Sequence, residues 1–228
     1  MKKRILIIGN DAGLPGVKID VENYRRFFKS SVGGNWLDSE IRVLLNPMQV
    51  TLMNELTSLR TQLLDYLIII FSGHGGQERE TVLEINRMGE QISESVLRGI
   101  CHRQLNIFDC CRSYPESIEE ATRVTNLIKS FSSYNTRDAY EKRILESISQ
   151  QVLLYSCSIG EVSHDTSEGG AYSKNLIFSA ADFTSGFKLV GDAHAEAARL
   201  TTREFNNQHP EAILPRCLSS QQLIIGIK

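Results

Sequence analysis

A chain of 228 residues, 41% hydrophobic and 23% charged, carries enough apolar side chain for one sizeable core, and its composition excludes a disordered chain and a disulfide-dense scaffold. Its formal net charge of -2 leaves no electrostatic footprint for nucleic acid or an anionic membrane, both of which call for clustered Lys and Arg. No apolar run approaches the roughly 20 residues of a membrane helix, and the basic start Met1 to Arg4 leads into four apolar residues, too few for a signal-peptide core, so a cytoplasmic protein is expected.

Short runs rich in Ile, Val and Leu alternate with longer amphipathic stretches, the pattern of strands buried on both faces and joined by crossover helices. In chain order the reading gives a strand at Ile5–Ile8, a helix at Val21–Lys29 opened by Asp20 as N-cap, a strand at Ile41–Leu45 and a helix at Thr51–Leu64. There follow a strand at Tyr66–Phe71, a helix at Ser93–Ile100 capped by Ser93, and strands at Leu105–Phe108 and Val152–Ser156. Helices at Ala171–Phe178 and Ala193–Phe205 and a last strand at Gln222–Ile227 complete the set. The expected fold class is α/β: one domain over residues 1–228, with a six-stranded, mostly parallel central sheet flanked by helices on both faces. Between Cys111 and Val152 lies a long interruption in which Ser117–Ser130 and Thr136–Ile148 read as polar, charge-rich helices. It is either a functional excursion or a surface helical hairpin with no part in chemistry.

Two strands end in reactive side chains. Tyr66–Phe71 runs into Ser72-Gly73-His74-Gly75-Gly76, and Leu105–Phe108 runs into Asp109-Cys110-Cys111-Arg112-Ser113. In an open parallel sheet ligands sit beyond the carboxyl ends of the strands, so both segments should open onto one edge and bring His74 to Cys111. A thiol needs such a neighbour, because the thiolate is the nucleophile and an imidazole can take its proton. The N–H groups of Gly75 and Cys111 would then serve a developing oxyanion. Alone, a His at a strand end is more often a structural or solvated one. The remaining cysteines, Cys101, Cys110, Cys157 and Cys217, lack paired CxxC spacing; no disulfide framework or zinc site is indicated, and Cys101, Cys157 and Cys217 read as small buried hydrophobes.

The pair Phe71-Ser72-Gly73-His74-Gly75-Gly76 and Phe108-Asp109-Cys110-Cys111-Arg112-Ser113 resembles the His and Cys motifs of the caspase and metacaspase clan of cysteine peptidases, in particular the prokaryotic metacaspase-like (orthocaspase) proteins. Ser156 to Leu176 looks like the family's strand and loop before a Gly-Gly-aromatic-Ser/Thr helix start, and Ile7 to Asp20 like its first strand and loop. The resemblance implies a caspase-like fold. It divides the chain into a large-subunit-like half at 1–112, a linker or helical excursion at 113–150, and a small-subunit-like half at 151–228. It places the nucleophile at Cys111, not Cys110, and assigns Asp20, Ser72 and Asp109 to a pocket for an Arg or Lys side chain. Asp20 as a helix cap and Asp109 as a buried salt-bridge partner remain alternatives. Ordinary caspases carry Gln-Ala-Cys-Arg/Gln/Gly-Gly with the His about 50 residues upstream; here His74 precedes Cys111 by 37, and acidic pocket residues favour a basic P1 over Asp.

The implied activity is endopeptidase cleavage of protein or peptide substrates through a thioester, in a cell-death or antiphage-defence setting, with an activating or effector protein as a further partner. The alternative is a catalytically weak caspase-like interaction module. No cofactor and no metal are expected: the family's calcium activation relies on clustered acids, and Glu78, Glu80, Glu84, Glu90 and Glu94 are scattered. Arg123, Lys129, Arg137, Lys142 and Arg143 are candidate self-cleavage points. A phosphate-binding loop is disfavoured, since Gly9, Gly13 and Gly16 fit neither Gly-rich spacing.

Overall fold

The computed structural model describes residues 1–114 and 135–228. In chain order the elements are β1 (Lys3–Gly9), α1 (Gly16–Lys29), β2 (Ile41–Leu45), α2 (Gln49–Thr61), β3 (Tyr66–Ser72), β4 (Gly75–Gln77), β5 (Thr81–Glu84), β6 (Gln91–Ser93) and β7 (Arg103–Asp109). After the undescribed residues come α3 (Arg137–Leu145), β8 (Gln150–Tyr155), β9 (Asp165–Thr166), β10 (Gly169–Gly170), α4 (Ala171–Ala181), β11 (Phe187–Leu189), α5 (Val190–Glu204), β12 (Glu211–Ile213) and β13 (Ile224–Ile227). Among the described residues no helix is long and apolar enough to cross a membrane.

Six strands form the central sheet in the order β12-β8-β7-β3-β1-β2. The four pairings from β2 to β8 are parallel and only β12 runs antiparallel. Side chains alternate across this sheet, so each strand feeds two cores. Ile5, Ile7, Ile68, Ile70, Leu105, Ile107, Val152 and Leu154 face one core, closed by α1, α3, α4 and α5 through Tyr24, Phe28, Tyr140, Tyr172, Leu176 and Ala193. Leu6, Ile8, Leu67, Ile69, Phe71 and Phe108 face the other, closed by Leu52, Leu56 and Leu59 of α2 and by Leu83 and Ile92. These last belong to a three-stranded antiparallel sheet, β4-β5-β6, that the sequence pattern does not reveal.

The expected sixth strand is replaced. Gln222–Ile227 supplies β13, which leaves the central sheet to pair with β11, and β12 takes the edge instead. Consecutive apolar residues Ile224 and Ile225 are both buried against helices, so an apolar run alone does not say which sheet a strand joins. The helix expected at Ser93–Ile100 reduces to one 3₁₀ turn, Glu94–Leu97. Ser93 does cap it, its Oγ accepting the Ser95 N–H (3.2 Å). The turn then ends because Gly99 adopts a positive φ and the N–H groups of Ile100 and Cys101 donate to Gln104 Oε1.

Residues 135–148 are no surface hairpin. Tyr140 and Ile144 of α3 are fully buried in the first core, and Arg143 is buried while donating to the carbonyls of Ser219 and Gln222. Arg137 forks onto Glu40 (2.6 and 2.9 Å). The candidate cleavage points Arg137, Lys142 and Arg143 therefore lie in a packed helix, whose backbone cannot adopt the extended form a peptidase cleft accepts. Arg123, Lys129 and the segment Ser117–Ser130 lie outside the described residues.

Candidate active site

The register of β3 and β7 pairs Ser72 with Asp109, and the Gly73 N–H donates to the Asp109 carbonyl (3.1 Å). His74 and Cys111 each stand two residues beyond that paired level, so parallel register delivers both to one sheet edge. They line one cavity of about 120 Å³ together with Gly75, Asp20, Ser72 and Asp109, which are all six of the residues selected from sequence.

The His74 Nε2 stands against the carbonyl oxygen of Ala12. A carbonyl only accepts, so Nε2 carries the proton in this arrangement and Nδ1 keeps the lone pair of the neutral ring. The loop supplying that carbonyl is fixed. Asn10 Nδ2 donates to the Glu84 carbonyl (2.9 Å), the Asp11 N–H to Asn46 Oδ1 (3.1 Å), and the Asp11 carboxylate meets Lys18 (2.9 Å) and Arg87 (2.7 Å). Lys18 foremost holds that carboxyl well below the usual range.

The partly buried Cys111 sulfur accepts the Ser163 N–H (3.4 Å) and lies 3.7 Å from the Ser163 carbonyl oxygen. Cys110 is buried in the second core, and burial, reinforced by Cys157, pushes its thiol well up. A thiol raised so far carries almost no thiolate at neutral pH. Burial raises Cys157 as well, so Cys111 is the better placed of the three.

Gly75 opens β4. The Glu84 N–H donates to the His74 carbonyl (3.0 Å), which makes 74/84 a hydrogen-bonded pair and 75/83 a non-hydrogen-bonded one. The Gly75 N–H therefore turns away from β5, to the same edge as that of Gln77, which donates to the Ser113 carbonyl (2.9 Å) just after Cys111. A Cβ on Gly75 would stand 2.8 Å from Cys110 Sγ and 2.9 Å from the Cys111 carbonyl oxygen, so only glycine lets these segments approach.

The cavity floor is acidic. Asp20 accepts from Ser72 Oγ (2.7 Å) and the Gly170 N–H (2.9 Å). Asp109 accepts from Ser163 Oγ (2.7 Å) on one oxygen, and from Ser173 Oγ (2.6 Å) and N–H (3.0 Å) on the other. Side chains at Gly169 and Gly170 would overlap these two carboxyl groups, which is what the Gly-Gly dipeptide permits. Burial first, and then the negative charge of Asp109, raises the Asp20 carboxyl well above its ordinary range. Asp20 is not an N-cap: α1 begins at Gly16, and Asp20 points inward from its second turn. Nor is Asp109 a salt-bridge partner, since hydroxyl and N–H groups hold it and no basic side chain pairs with it among the described residues.

Sequence reasoning missed four contributors: Ala12, Ser163, Ser173 and Asp165. Asp165 lines the cavity and accepts the Gly16 N–H (3.1 Å), standing in for a first-turn acid at the start of α1. Ser173 was visible only as part of the Gly-Gly-aromatic-Ser stretch. Among the described residues no group of three or more His, Cys, Asp or Glu is placed to hold a metal ion; Glu80 engages Ser95 (2.7 Å), Glu90 engages Asn86 (2.6 Å) and Glu94 engages Arg98 (2.7 Å).

A family model for the caspase domain matches residues 2–209. No curated protein matches the sequence. Among solved structures the chain is similar to caspase-1 from Spodoptera frugiperda, with a TM-score of 0.65 and 12% identity over 99% of this chain and 90% of that one. It is also similar to a Geobacter sulfurreducens protein, with a TM-score of 0.61 and 13% identity over 98% of each chain.

Proposed function

We propose that this chain, which belongs to the caspase domain family, is a cysteine endopeptidase that cuts after Arg or Lys, with Cys111 as nucleophile and His74 as base. The observation that carries the reading is a single cavity lined by His74, Cys111 and three carboxyl side chains, Asp20, Asp109 and Asp165.

In this mechanism His74 Nδ1 takes the Cys111 proton and the thiolate adds to the scissile carbonyl. The N–H groups of Gly75 and Cys111 receive the oxyanion. The imidazolium returns its proton to the leaving amine, which leaves a thioester. Water then adds to the thioester with His74 again as base, releasing the carboxylic acid and restoring the thiol. The Ala12 carbonyl keeps the ring in the required tautomer. A cationic P1 side chain finds acceptors on the cavity floor, where charge-assisted hydrogen bonds are about twice as strong as neutral ones, while an Asp side chain meets like charge.

Fluorogenic peptides differing only in Arg, Lys or Asp at P1 test this reading. Cleavage after Arg and Lys is expected, lost in Cys111→Ala and kept in Cys110→Ala. Turnover confined to the Asp peptide would refute the specificity, and turnover surviving Cys111→Ala would refute the nucleophile.

A further inference from the structure

Ser163 touches both halves of the site, and the chemistry above gives it no task. Its backbone N–H donates to Cys111 Sγ (3.4 Å) and its carbonyl lies 3.7 Å from the same sulfur. Its hydroxyl donates to Asp109 Oδ1 (2.7 Å) and accepts from Gln208 Nε2 (3.1 Å). Gln208 is fully buried and fastened to the end of β8, donating to the Ser156 carbonyl (2.8 Å) and accepting the His164 N–H (3.1 Å). One residue thus links the nucleophile, through its main chain, to the acidic floor, through its side chain.

We propose that Ser163 is a positioning residue that couples occupancy of the acidic pocket to release of the Cys111 thiol. The proposal rests on the reading of that pocket as a site for a basic side chain. In the described arrangement the Ser163 main chain engages the sulfur, and the Ser163 hydroxyl helps satisfy Asp109. A guanidinium entering the cavity offers Asp109 a charged, forked donor in place of one neutral hydroxyl. The hydroxyl gives up its place, the 163 main chain moves with it, and the N–H leaves the sulfur, which then turns toward His74 and the scissile carbonyl. A correct P1 residue would thereby help to assemble the catalytic pair, which places part of the specificity in kcat as well as in KM.

Agmatine, a guanidinium carrying no scissile bond, is the probe. Its binding to the purified full chain is measured by calorimetry, and the alkylation of Cys111 by iodoacetamide is followed by fragment-resolved mass spectrometry with and without it. Saturating agmatine is expected to speed alkylation of Cys111 severalfold in the wild type. The same concentration should leave the rate unchanged in Ser163→Ala, and Ser163→Thr, which keeps the hydroxyl, should restore the acceleration. Binding of agmatine with an unchanged or slowed alkylation rate in the wild type overturns the coupling alone, as does an acceleration that survives in Ser163→Ala. Absence of agmatine binding overturns the basic-pocket reading and the coupling with it.

Discussion

Asp20 and Asp109 share one cavity floor, yet their surroundings differ in kind. Asp109 collects three donors, two hydroxyls and an N–H, whereas Asp20 is nearly fully buried with two and has a carboxylate for a neighbour. Desolvation and that neighbour both disfavour its ionised form. The direction of the shift fixes two signs. A carboxyl whose value rises on folding holds its proton more tightly in the folded state. Stability therefore falls as pH climbs from the ordinary 3.8 through the raised value, because the unfolded chain has already released that proton. A cationic P1 side chain prefers the ionised form, so kcat/KM for an Arg peptide should drop as pH falls through the same window. Asp20→Asn keeps an acceptor for the Gly170 N–H and removes the titration. It should flatten the pH dependence of stability in urea denaturation, exceed the wild type at neutral pH, and raise KM for the Arg peptide by about tenfold, equivalent to about 1.4 kcal/mol. A variant as pH-dependent as the wild type would mean that Asp20 is not the group responsible.

Among the elements, α3 best separates what a sequence discloses from what it hides. Its nine residues are mostly polar, but Tyr140 packs edge-on against Trp36 at 6.3 Å between ring centroids, and Arg143 buries its length while its guanidinium reaches carbonyls. Long amphipathic side chains place apolar surface in a core without raising hydropathy. Tyr140→Ala should cost about 3–5 kcal/mol in urea denaturation, a loss no surface hairpin would register. N-terminal sequencing of any self-processed chain should find no cut after Arg137 or Arg143. Where a strand is an unbroken apolar run, the sequence is sufficient: Ile41–Leu45 has the expected bounds and Tyr66–Phe71 gains one residue. The strands β4, β5, β6 and β12 are three or four residues long and half polar, below the length at which alternation can be read. The same limit applies to the site. His74 and Cys111 are legible because each follows an apolar strand, while Asp165 acts on Gly16 from 149 residues away, Ser163 reaches Asp109 from 54 residues away, and Ala12 acts through a main-chain carbonyl that leaves no trace in residue identity.

At the scale of the whole molecule, the residue after Cys111 ties the small antiparallel sheet to the far side of the central one. The buried Arg112 donates to Thr81 Oγ1 on β5 (3.0 Å), to the Cys157 carbonyl beyond β8 (3.2 Å), and to Glu211 on the edge strand β12 (2.8 Å). Its guanidinium also lies 4.1 Å over the Tyr155 ring. Because β5 pairs with β4, which carries Gly75, this one planar group helps to fix where Gly75 stands relative to the central sheet. Arg112→Met keeps much of the apolar stem and loses every polar tie, so it should destabilise the chain by about 3 kcal/mol, chiefly by leaving the buried Thr81 hydroxyl and Cys157 carbonyl without their donor. Glu211 is half exposed, and Glu211→Gln should cost less than about 1 kcal/mol. If Arg112 holds the oxyanion donors in register with the thiolate, Arg112→Met must also lower kcat far more than it raises KM, since a misplaced oxyanion donor acts on the transition state alone. Kinetics with the Arg peptide at temperatures where the variant remains folded decide the matter. An unchanged kcat in a destabilised variant would reduce Arg112 to a bolt between sheets, and the alignment of Gly75 with Cys111 would then have to come from the Gln77 and Ser113 main chain alone.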